Sequence, residues 1–96
     1  MSTRHPANPN DFRLFLEVAE LGSFTKAAAQ RHTVQSHISR QVSELEAACG
    51  GPLFRRTGRG VALTELGQRV QARVHGWVRD TDQLLADIRA DAGLPM

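Results

Sequence analysis

Three consecutive alanines ahead of a two-faced helical segment constrain this chain more than anything else in its sequence. Ala27, Ala28 and Ala29 lie in a short helical run, Lys26 to Arg31, which breaks at His32-Thr33-Val34 and resumes from Gln35 to Cys49. In the second run Ile38, Val42, Leu45 and Cys49 step by four, three and four, which sets one apolar stripe along a helix. Opposite the stripe lie Gln35, Ser36, His37, Ser39, Arg40 and Ser43. The alanines have too little bulk to hold another helix at a distance, so the stripe can settle closely against them. Gly50-Gly51-Pro52 then closes the longer run with residues that stop helices.

The flanks complete a small domain. Asn10 is placed to cap a first helix, with Asp11 favourable at its positive end. Phe12, Phe15, Leu16 and Ala19 recur at helical spacing, with Val18 beside them, until Gly22 stops the run. After the third helix, Leu53-Phe54-Arg55-Arg56 and Val61-Ala62-Leu63-Thr64 are short extended runs. Thr57-Gly58-Arg59-Gly60 joins them with the glycines a tight hairpin needs. From Thr64 to about Ala92 runs one helical segment, about 40 Å long at 1.5 Å per residue. Two helices across a tight break, the second with a polar face, describe a helix-turn-helix, and the hairpin supplies a wing. The expected fold class is mainly α: a winged helix-turn-helix of three helices and a two-stranded wing, then a long linker helix. The expected divisions are a flexible arm over 1–9, the winged domain over 10–64, the linker helix over 65–92 and a hinge or tail over 93–96.

Composition narrows the partners. No apolar run approaches the roughly 18 to 20 residues of a membrane-spanning helix, and no apolar stretch follows Met1-Ser2-Thr3-Arg4-His5-Pro6 as a secretory signal requires. A single cysteine, Cys49, has no partner in the chain for a disulfide, and a reducing cytoplasm is its simplest home. Net charge is only +2, but its distribution is uneven. From Leu21 to Ser43 there is no acid, while Lys26, Arg31 and Arg40 are positive; from Ala47 to Thr64 the same holds with Arg55, Arg56 and Arg59. Two acid-free basic windows in one small domain are the footprint of a polyanion partner.

The polar face of the third helix suits base edges. Gln can bond adenine at two atoms, Arg can fork onto guanine, and Ser serves either. Gln35, Ser36, His37, Ser39 and Arg40 are therefore the candidate base readers. Ser23, Thr25 and Lys26, at the start of the second helix, are expected on phosphates with Arg31 and Arg56. Arg55 and Arg56 should lie on opposite faces of their strand, so only one is expected to face the backbone. Arg59, between two glycines at the hairpin tip, is placed for the minor groove, where narrow A·T stretches attract positive charge.

At these residues the chain resembles the DNA-binding end of LysR-type transcriptional regulators. Gly22-Ser23-Phe24-Thr25-Lys26-Ala27-Ala28 is similar to the opening of that family's helix-turn-helix, and Gln-Ser-His-Ile-Ser-Arg-Gln-Val from Gln35 to Val42 to its recognition helix. Leu45-Glu46, Leu53 through Val61 and Leu63-Thr64-Glu65-Leu66-Gly67 resemble its closing segments and wing. Val34 stands where the family often has Ser or Thr, so Thr33 is expected to cap the third helix. The resemblance implies a dimer whose linker helices pair antiparallel, placing two recognition helices on one double-stranded operator with an inverted repeat. It also implies a second, larger domain that binds a small-molecule inducer. Ninety-six residues leave no room for it, so either an N-terminal fragment or a naturally short protein is expected, the fragment being favoured.

Other readings are weaker. His32 and His37 are five apart with Cys49 twelve beyond, which is no recognised zinc spacing, and no metal or cofactor is expected. Ser36 and His37 are helix neighbours that point apart, with no acid nearby to orient the His, so no enzyme is expected. Val70, Val74, Trp77, Thr81, Leu84 and Ile88 step by four, three, four, three and four along the linker helix. That is the seam of a helix packing on a partner. The stripe could instead lie on the chain's own domain, but it runs about four turns beyond the compact part, so a second copy is the expected cover. A winged helix that serves protein contacts without DNA affinity is the alternative, and the basic windows weigh against it.

Overall fold

The computed structural model describes residues 9–93. Four helices and one hairpin follow in the order α1 (Pro9–Leu21), α2 (Phe24–Gln30), α3 (Gln35–Cys49), β1 (Phe54–Thr57), β2 (Gly60–Leu63) and α4 (Glu65–Asp91). The arm expected over 1–9 lies outside the described residues except for Pro9. That residue opens α1, where its fixed φ and missing N–H cost nothing. Asn10 is accordingly inside the helix and does not hold the cap position. Residues 94–96 of the expected tail are likewise outside.

Each junction has a local cause. Ser23 caps α2 by accepting the Lys26 amide at 3.0 Å. Between α2 and α3, His32 adopts a left-handed φ of 56°, and the Thr33 amide returns to the Ala28 carbonyl at 2.9 Å. Thr33 does not cap α3. Val34 holds that position, in extended backbone, without any side-chain capping bond. A Ser, Thr, Asp or Asn cap is worth about 0.5 to 2 kcal/mol, so the helix starts at some disadvantage. Gly50, left-handed at φ 95°, closes α3.

The core is one cluster. Leu14, Phe15 and Val18 of α1, Ala27 and Ala28 of α2, and Ile38, Val42 and Leu45 of α3 are buried together with Leu53 and Phe54. The predicted close approach of α3 to the alanines is thus realised. Phe54 ties the hairpin to this body, with its ring 5.4 Å from Phe15 and 5.8 Å from Phe24 between centroids. The strands pair antiparallel, Phe54 with Leu63 through Thr57 with Gly60, so each starts and ends one residue from the expected positions. Only Gly58 and Arg59 remain as the loop. Thr64 caps α4, its hydroxyl accepting the Gly67 amide and donating to the Pro52 carbonyl.

Candidate nucleic-acid interface

On α3, Ile38, Val42 and Leu45 face the core, and at about 100° per residue the remaining positions can be placed around the axis. Gln35, Ser36, Ser39, Arg40 and Ser43 fall on one continuous outer arc. His37 is exposed at its edge, about 60° round from Arg40 and away from Ser39. Gln35, Ser36 and Arg40 are exposed, and Ser39 is half-buried where α3 meets the wing.

The wing is held to α3 by a contact that sequence reasoning missed. Glu46, in the last turns of the helix, accepts the backbone amides of Leu53 at 2.7 Å and Phe54 at 3.2 Å. Bonds to a charged acceptor are the stronger kind, about 1.5 to 3 kcal/mol each. They fix where β1 departs relative to the polar arc. A second tie runs from the Val61 amide to the Gly22 carbonyl at 3.0 Å, joining β2 to the turn before α2. Between α3 and the hairpin these ties leave a groove of about 120 Å³ whose walls include Ser39, Ser43, Glu46, Arg55 and Arg56. Both arginines contribute to its lining. Arg59 is exposed at the tip, its amide donating to the Thr57 hydroxyl.

Three of the described basic residues are ion-paired. Arg13 pairs with Asp82 at 2.7 Å, Arg31 with Glu17 at 2.5 Å, and Arg69 loosely with Glu65 at 3.8 Å. Around α3 and the wing, Lys26, Arg40, Arg55, Arg56 and Arg59 have no ion-pair partner among the described residues. Arg31 was expected on phosphate. Its Nε donates to Glu17, which α1 brings alongside the end of α2. Ser23 is engaged as a cap, but a capping hydroxyl accepts and keeps its own hydrogen to donate.

The apolar stripe of α4 also divides. Val70 packs on the core cluster and Val74 is 5% exposed, both covered by the chain's own domain. Trp77 stands edge-on to Phe12, 5.5 Å between centroids. Thr81 donates its hydroxyl back to the Trp77 carbonyl. The first half of the expected seam is therefore a corrected reading: periodicity marks a buried face, and here α1 does the burying. Beyond it Leu84, Leu85 and Ile88 are 58, 56 and 54% exposed. The bond from Arg13 holds the Asp82 carboxyl below its usual range and raises the guanidinium in turn. Burial, then Glu46, pushes the Cys49 thiol up, which keeps it in its unreactive protonated form.

Comparison with known proteins gives the same picture. Residues 9–68 match the model for the bacterial regulatory helix-turn-helix protein, lysR family. The chain belongs to the LysR family. Among its relatives, the HTH-type transcriptional regulator DgdR of Burkholderia cepacia is 40% identical over 76 residues, which are 79% of this chain and 26% of that protein. The HTH-type transcriptional activator CmpR of a Synechocystis strain is 42% identical over 64 residues, 67% of this chain and 21% of that protein. The chain spans about a quarter of the length of the curated relatives it matches. In structure it is similar to the CbnR DNA-binding domain crystallised with DNA, with a TM-score of 0.82 at 30% identity over 90% of this chain and 99% of that one. It is also similar to the BenM DNA-binding domain on its benA site 1 DNA, with a TM-score of 0.83 at 30% identity over 90% and 97% of the two chains. As a LysR-family winged helix-turn-helix, the chain has α3 in the recognition-helix position and the hairpin as its wing. No described helix is long and apolar enough to cross a membrane.

Proposed function

We propose that this chain is the DNA-reading head of a LysR-type transcription regulator, acting in the cytoplasm as a dimer on an inverted-repeat operator. The cluster of unpaired basic residues around the polar arc and the wing carries the reading. Lys26, Arg40, Arg55, Arg56 and Arg59 gather there with no acid of the described residues paired to them, which leaves them for an external polyanion. Arg73, Arg79 and Arg89 are unpaired among the described residues as well but lie on α4. With α3 in the major groove, Gln35, Ser36, Ser39 and Arg40 meet base edges, and His37 does so from the margin. Ser23, Thr25, Lys26 and Arg56 hold phosphates, and the groove between α3 and the wing takes the strand that separates the two DNA grooves. Arg31 engages Glu17 through its Nε and keeps the donors of its terminal nitrogens for a phosphate. Arg59 enters the minor groove. An inducer would act through a domain beyond these residues.

The dimer rests on Leu84, Leu85 and Ile88, with Trp77 and Thr81 at their margin. The two α4 helices pair antiparallel, so that Leu84 of one copy meets Ile88 of the other.

Two substitutions test the DNA contacts in a salt-titrated binding assay. Gln35→Ala is expected to weaken operator binding by about 1 to 3 kcal/mol and leave random DNA nearly unaffected. Equal losses on both would move Gln35 from base reading to backbone positioning. Arg59→Ala is expected to weaken binding to every sequence and lower the salt slope by about 1. Unchanged affinity at all salt concentrations would remove the wing from the interface, and no affinity for any DNA in the parent chain would favour a protein partner.

A further inference from the structure

Five large apolar side chains are exposed among the described residues, and four of them lie on α4. The fifth is Val34, at 64% the most exposed of all, at the head of α3 beside Gln35 and Ser36. It holds the cap position in extended backbone, with no side-chain bond to the helix and only its carbonyl engaged, by the His37 and Ile38 amides. An isolated exposed valine is ordinary on a protein surface. This one also occupies the single position of α3 where Ser, Thr, Asp or Asn would stabilise the free protein, so the folded chain gains nothing from it. The leading end of a recognition helix is the part that comes nearest the base edges. There the one apolar feature that DNA presents in the major groove is the thymine methyl group.

We propose that Val34 is a specificity residue that packs on a thymine methyl group at one position of each half-site. This rests on the placement of α3 in the major groove. Gln35 and Arg40 read donors and acceptors, and Val34 adds a test for a methyl that hydrogen bonding cannot supply.

The test starts from the site that the wild-type chain selects out of random duplex DNA. Each thymine of the half-site is replaced in turn by uracil, which pairs identically and lacks only the methyl. One replacement is expected to weaken wild-type binding about fourfold, the worth of burying one methyl group. The same replacement should leave Val34→Ser indifferent and cost Val34→Ile as much as wild type. Val34→Ser should at the same time raise the thermal unfolding midpoint, since it restores a cap. Loss of discrimination together with a gain in stability separates base contact from a structural role. If every uracil substitution affects Val34→Ser and wild type alike, Val34 reads no methyl. If the wild type selects no site at all, the DNA-reading function fails first and takes this role with it.

Discussion

Replacing Leu84 and Ile88 together by Asp is expected to yield a folded monomer that has lost paired-site binding. Both side chains are more than half exposed in the single chain, so the substitutions remove nothing from its own core. That core is centred on Phe15, Ile38 and Leu45, and the α1–α4 contacts through Phe12 with Trp77 and Arg13 with Asp82 lie nearer the start of the helix. In a paired α4, by contrast, each large apolar side chain returned to water costs roughly 1.5 to 3 kcal/mol, and four carboxylates would face one another across the seam. Loss of the tether makes the second half-site a separate binding event. Affinity for the full operator should fall by about 100-fold or more, while affinity for an isolated half-site changes little. Sedimentation velocity at tens of micromolar, read beside binding to one and two half-sites, decides it. A wild-type monomer, or a double mutant that still sediments as a dimer, would show that something other than this patch joins the copies.

The same helix marks how far the sequence alone could go. Its length and its heptad-like spacing were legible, because periodicity reports which face is buried. What covers that face depends on where α1 passes, and this is set by contacts between residues as distant as Arg13 and Asp82. The bounds of α3 emerged as expected for a local reason: the break before it and the glycines after it are written in adjacent residues. Glu46 was not legible as a wing anchor, since its partners are backbone amides, which every residue carries and no sequence pattern announces. Arg31 illustrates the converse. Its charge was correctly noted, but only the fold brings Glu17 against it.

Gly60→Ala is expected to be the most damaging single substitution in the wing. Gly60 has a φ of 154°, which side-chain-bearing residues rarely adopt, and an added Cβ would stand 2.1 Å from the Gly22 carbonyl oxygen. That oxygen is backbone and already accepts the Val61 amide, so it cannot retreat without breaking the tie between wing and helix-turn-helix. Strain and overpacking together predict a loss of about 2 to 4 kcal/mol in folding stability. The functional signature should be selective. A displaced wing carries Arg59 away from the DNA, so binding weakens on all sequences and the salt slope falls. The stripe of Ile38, Val42 and Leu45 still seats α3, so the preference that depends on Gln35 survives. Gly58 provides the control within the same turn, with open space around its Cβ position and no positive φ. Gly58→Ala should therefore stay near wild type in both denaturant midpoint and affinity. Equal midpoints for the two alanine variants would mean that the wing does not need the close approach of Gly60 to Gly22.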